Sequence, residues 1–278
     1  MEVRTEPDRE AAHHARVDAL LADHLERRRD GVAHPVHDFL FTYYSFRPAQ
    51  LRRWHPGGGS AEEIAAKLPL IEQTHTLLTA TAARPAQLGC FGMHEWAMVY
   101  RQTATDTRHP WPLRLGHDGT DAVVESHKIA CSHFDAFRFF TPDARPLNTL
   151  SPTSQDRPAF EQPGCLHAGM DLYKHAFRLS PLVPSELVAD CFELARDIRV
   201  LDMRAAPYDL SDLGFEPVRV ETPEGKQEYA AAQRGFAERG APLRERLMKV
   251  CARLLATLAD QTQADASRCP PTRRVSPG

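Results

Sequence analysis

The strongest apolar pattern lies late in the chain. Leu187, Cys191, Leu194, Ile198 and Leu201 recur at intervals of four and three, one face of a helix with Ser185 at its start and Pro207 beyond its end. A similar stripe opens the chain. Val17, Leu20, Leu21 and Leu25 share a face across residues 9–30, followed by three arginines where cations suit the helix dipole, and then by Gly31. Between these stripes, residues 34–48 carry five aromatics from Phe39 to Phe46, with Pro35 at a first helical position and Pro48 as a stop. Ser60 and Glu63 spell a capping box for a helix over about 60–83, after the flexible PGGG joint at 56–59. Residues 89–101 and 166–178 read as two further helices. A last long helix starts near Pro223, breaks at Gly240-Ala241-Pro242 and resumes through Leu243, Leu247, Val250, Leu254 and Leu258.

Strand signals are confined to two places. Residues 112–141 contain a turn-like HDGT and then partial alternation through Val123, Glu125, His127 and Ile129, which predicts a hairpin or meander. FEPVRVE, residues 215–221, predicts a short strand, and the proline-rich stretch 142–165 a long irregular loop. The expected architecture is mainly α: a single helical domain over 1–261 with a small β hairpin or meander near 112–141. Residues 262–278, polar with three prolines, are expected to be a disordered tail.

Composition narrows the class without choosing a function. A net charge of −3 in 278 residues argues against a generally basic nucleic-acid binder. The six cysteines form no CxxC, and no secretory leader precedes them. Free thiols in a reducing cytoplasm are therefore expected. No apolar run reaches the ~18 residues of a membrane span, so no membrane partner is expected.

Candidate chemistry gathers in a few blocks. On a strand, His127, Cys131, His133 and Asp135 would share one wall. They could ligate a metal or act as acid–base groups, but standard closed-zinc spacings, HExxH and CxxCH are absent, so no metal or haem is expected there. His94 and Glu95 sit inside an apolar segment, where a carboxylate acts as a base or is tied to an arginine. His167, Asp171 and His175 stand four apart on one helix face, and Asp202, Arg204, Tyr208 and Asp209 crowd a helix end. Tyr43, Trp96 and their aromatic neighbours serve either as core or as stacking surfaces.

Seven blocks carry a resemblance: HPVHDFLFTYYSFRP, RRWHPG, GCFGMHEWAMVYR, SHFDAFRFFTPDARPLN, EQPGCLHAGMDLYKHAFRLSP, LDMRAAPYDL and ETPEGKQEY. Over most of residues 34–247 the chain resembles a family of bacterial proteins commonly labelled 3-methyladenine DNA glycosylase. The resemblance implies base-excision repair: hydrolysis of the N-glycosidic bond of an alkylated purine in DNA, without a metal. A carboxylate would stabilise the oxocarbenium-like state or activate water. The resemblance implies Asp135 or Glu95 for that carboxylate and His133 or His127 for positioning water. Tyr43, Trp96 and Phe137 would stack the base, and Arg138 and Arg204 would meet phosphate, with His167 and Asp171 in the pocket wall. The rival expectation is a histidine-rich metal- or haem-dependent oxidoreductase acting on a small molecule, favoured by the density of histidines in these blocks.

Overall fold

A computed structural model describes residues 5–103 and 111–268. It is a helical domain of twelve α-helices: α1 Glu6–Arg29, α2 Phe39–Thr42, α3 Pro48–Arg52, α4 Ala61–Ala66, α5 Leu68–Ala82, α6 Met93–Ala97, α7 Gly116–Ser126, α8 Phe134–Phe137, α9 Arg157–Phe160, α10 Leu166–Arg178, α11 Ser185–Arg204 and α12 Pro223–Arg268. No described helix is long and apolar enough to cross a membrane.

The central layer is α10 against α11, joined by a turn with a cis Ser180–Pro181 bond; α12 lies across both and also packs on α5, while α1 packs on α3 and α11. The stripe Leu187, Cys191, Leu194, Ile198 and Leu201 is buried throughout. Each such leucine or isoleucine contributes roughly 1.5–3 kcal/mol relative to leaving it in water. Gly169 lets α10 approach closely, since a Cβ there would stand 2.8 Å from Ile198 Cδ1. On α1 the buried line is His13, Val17, Leu21 and His24, and Leu25 faces solvent. The Ser60–Glu63 capping box forms as expected.

Four local expectations differ from the structure. The stretch expected as a hairpin folds instead as α7, burying Thr120, Val123 and Val124, three to four apart on one face. Its apparent alternation spans too few residues to outweigh that spacing. Only isolated bridges remain among the described residues, Leu113 with Tyr208 and Ile129 with Asn148. Residues 215–219 take no regular secondary structure, so the expected strand at 215–221 does not form. The last helix runs unbroken through Pro242, which is exposed. The carbonyl its missing N–H leaves free can therefore meet water. Helix α12 also continues to Arg268, past the expected start of the tail; residues 269–278 lie outside those described.

Candidate active site

Three helices bring their polar residues to one buried point. The short α6 supplies His94 and Glu95, the first turn of α10 supplies His167, and the last turns of α11 supply Arg199 and Asp202. Gly92, in the left-handed conformation at φ +68°, begins α6; Phe91 before it also has positive φ. Two successive left-handed residues aim α6 inward. Phe91, lacking glycine's freedom, holds that conformation at a cost on the order of 1 kcal/mol.

One imidazole nitrogen each of His94 and His167 and one carboxylate oxygen of Asp202 all lie within 4.8 Å of one another. His94 Nε2 stands 3.0 Å from Asp202 Oδ1. The two are out of line for a hydrogen bond, and both atoms are buried without another partner. The other carboxylate oxygen, Oδ2, accepts from Arg199 Nη1 at 2.7 Å, and the same nitrogen donates to Glu95 Oε1 at 3.1 Å. Arg199 thus fixes Asp202 in one orientation and leaves Oδ1 pointing at the histidines, the usual duty of a group behind a metal ligand. Its guanidinium also stacks over Phe39 at 4.0 Å.

The charges at this point do not balance without help. Arg199 contributes one positive charge, and Glu95 and Asp202 contribute two negative ones, all buried. Burial alone would push the Asp202 carboxyl up, but His94 and Arg199 outweigh it and hold it below the ordinary carboxylate range. Burial pulls His94 down, and the Asp202 carboxylate more than offsets this, so its pKa ends above the ordinary value. Burial and the neighbouring His94 hold His167 down at about 3, so its imidazole is neutral and has a lone pair to offer. The remaining negative charge is met either by a proton on His94 or by a metal cation.

Two cavities flank this cluster. The larger, of about 760 Å³, is lined by His94 and His167 together with Phe91, Phe160, Ile129 and Leu166. Three free thiols, Cys90, Cys131 and Cys165, also face it. Burial raises all three and pushes Cys131 to about 12, so they stand as neutral thiols beside the histidines. The smaller cavity, of about 320 Å³, is lined by Phe39, Tyr43, Glu95, Asp135, His167 and Arg199. His167 borders both.

A second polar cluster lies behind His167, whose ring centroid is 5.3 Å from that of His133. His133 is fully buried, with Nε2 3.2 Å from Asp171 Oδ2 and 3.5 Å from Glu161 Oε1. Asp171 also accepts from Tyr44 at 3.2 Å and Arg157 at 2.8 Å, and from Lys174. Burial raises the Asp171 carboxyl, but Lys174 and His133 outweigh it and hold it well below the carboxylate range.

The residues singled out from sequence divide among these places. Tyr43, Glu95, Asp135 and His167 come together around the smaller cavity. Asp135 is half-buried and tied to Lys174 at 3.0 Å and Arg138 at 3.5 Å. His133 and Asp171 pair in the second cluster and line neither cavity. His127 caps α7 through Val123 O at 2.6 Å and lines the larger cavity. It shares no wall with His133 and Asp135, because no strand forms there. Trp96 is core: its indole N–H donates to Ala205 O at 2.9 Å and Arg114 covers its ring. Phe137 packs on Phe140, and the Arg138 guanidinium lies over Phe139. Arg204 donates to Glu216 O at 2.8 Å, remote from both cavities.

Sequence reasoning named His94, His167 and Asp202 in three blocks without combining them as a ligand set, and missed Arg199. A signal existed for Arg199: it stands three residues before Asp202 on the most regular apolar helix, so burying Asp202 also buries an arginine. No known family, curated protein or solved structure matches the chain.

Proposed function

We propose that this protein is a metal-dependent oxidoreductase that acts on a small molecule in the larger cavity, with His94, His167 and Asp202 holding iron(II). The observation that carries this reading is the convergence of two imidazole nitrogens that line the larger cavity with one carboxylate oxygen buried behind them. Two histidines and one carboxylate leave several positions of an octahedral ion open, the arrangement associated with non-haem iron(II) oxygenases. The 3.0 Å between His94 Nε2 and Asp202 Oδ1 suits that geometry. Ligands about 2.1 Å from one ion stand about 3.0 Å apart at right angles and about 3.4 Å apart at the tetrahedral angle of zinc. Arg199 and Glu95 are the supporting shell.

The test is anaerobic iron(II) loading followed by metal analysis and the electron-spin signal of the nitric oxide adduct. About one iron per chain is expected, falling below a tenth in His167→Ala and Asp202→Asn. A wild type that takes up no iron, or variants that take it up equally, would remove the reading.

A second reading is favoured by one observation: Tyr43, Glu95, Asp135 and His167 line one cavity of about 320 Å³ that has room for a purine. Burial would raise the Asp135 carboxyl, but Lys174 outweighs it and keeps it below the ordinary range, hence ionised at neutral pH. That is the form a glycosylase would use against a cationic sugar. Its test is release of methylated base from alkylated DNA, abolished by Asp135→Asn or Glu95→Gln.

A further inference from the structure

We infer that the larger cavity takes an organic anion, held by its acidic end at the mouth with its apolar body directed at His94 and His167. This deepens the metal reading by naming a substrate class for the same cavity. Arg84, Lys128 and Lys226 line the cavity, and no aspartate or glutamate does among the described residues. That is unusual for a chain with more acids than bases. The described structure shows no ion pair for any of the three. Arg84 donates only to the carbonyls of Ala80 and Glu161, and Lys226 lies 5.9 Å above the Phe91 ring. Elsewhere arginines such as Arg9, Arg16 and Arg114 are paired with carboxylates.

Exposure sets the direction of binding. Lys128 is exposed and Arg84 and Lys226 are half-buried, whereas Met93, His94 and Leu166 are buried. The exposed Lys128 therefore marks the mouth and the buried His94 the floor, with His167 half-buried like Arg84 and Lys226. Unpaired cations on a low-dielectric wall attract an anion much more strongly than they would in open water. The phenylalanines at 91 and 160 line the space between.

Fluorescence titration with 2-naphthoate, 2-naphthyl phosphate and neutral 2-naphthamide tests this on the full chain, both metal-free and iron-loaded. At least one anion is expected to bind about tenfold or more tightly than the amide. The stronger of the two identifies a carboxylate or a phosphate as the natural acidic end. Lys128→Gln with Lys226→Gln should shrink the preference below about threefold, while Lys249→Gln, remote on α12, should leave it unchanged. An amide that binds as well as both anions, or no binding by either anion at millimolar concentration, overturns the inference. So does a preference that survives loss of both lysines in protein that still melts cooperatively. Because the mouth acts without the metal, the preference should persist in metal-free protein. Failure of iron loading and failure of anion binding are thus separate results.

Discussion

Arg199 and Asp202 stand one turn apart on α11 and share a 2.7 Å hydrogen bond at zero solvent exposure for Asp202. The same guanidinium nitrogen holds Glu95 from another helix. One arginine therefore bridges two buried carboxylates, and the arrangement behind His94 depends on its position. Arg199→Met should cost about 3–5 kcal/mol, because it leaves both carboxylates without their cation. Urea denaturation measures this. Adding Glu95→Gln should recover part of the loss. A change below about 1 kcal/mol for the single substitution would contradict this account of the floor.

Iron should stabilise the fold it binds. At about a hundredfold excess over its dissociation constant, a ligand specific to the native state contributes ~2.7 kcal/mol, or roughly 5 °C of melting temperature for a chain of this size. Anaerobic thermal melts with and without iron(II) should show this rise in the wild type. His167→Ala and Asp202→Asn should melt at the same temperature either way. Equal shifts in all three proteins would mean that iron binds elsewhere.

The wall of the larger cavity depends on Gly164. A Cβ there would lie 2.5 Å from the carbonyl oxygen of Gln87, a backbone atom with little room to move. Gln162 binds the N–H groups of both Gly164 and Gln87, and Gln233 donates to the Gly164 carbonyl at 2.6 Å. Gly164→Ala should cost about 1–3 kcal/mol and weaken naphthoate binding as the wall shifts. A neutral effect on both readouts would show that the strand of chain at Gln87 moves freely.

Acid should weaken this protein well before its carboxylates titrate. Burial holds His175 down at about 3 from its ordinary 6.5. Between those values an unfolded chain takes up a proton that the folded chain refuses. Stability is therefore full above pH 6.5 and falls as pH drops below it. His34, held at about 4 by burial and His37, acts in the same direction. Between pH 7 and pH 5 the His175 contribution is about 2 kcal/mol. His175→Phe should flatten the measured pH dependence by that amount, and an unchanged slope would count against a neutral buried imidazole.

The helices that shape this site were legible where one side of the pattern repeats locally. The α11 stripe and the Ser60 capping box needed only residues within a turn or two of each other. His94, His167 and Asp202 were not legible as a set, because their spacing is set by the way α10 packs on α11 and α6 turns in at Gly92. The short stretch around Val123 misled for the opposite reason. Its few alternating positions fit two periods, and only tertiary burial of Thr120, Val123 and Val124 decides between them.

His167 lines both cavities, of about 760 Å³ and 320 Å³, and its imidazole is part of the wall between them. Its truncation to alanine does more than remove a ligand. It enlarges both a roomy cavity with a basic mouth and a smaller one walled by Tyr43, Asp135 and Arg199. The shape, the charge and the water content of both rooms then change at once.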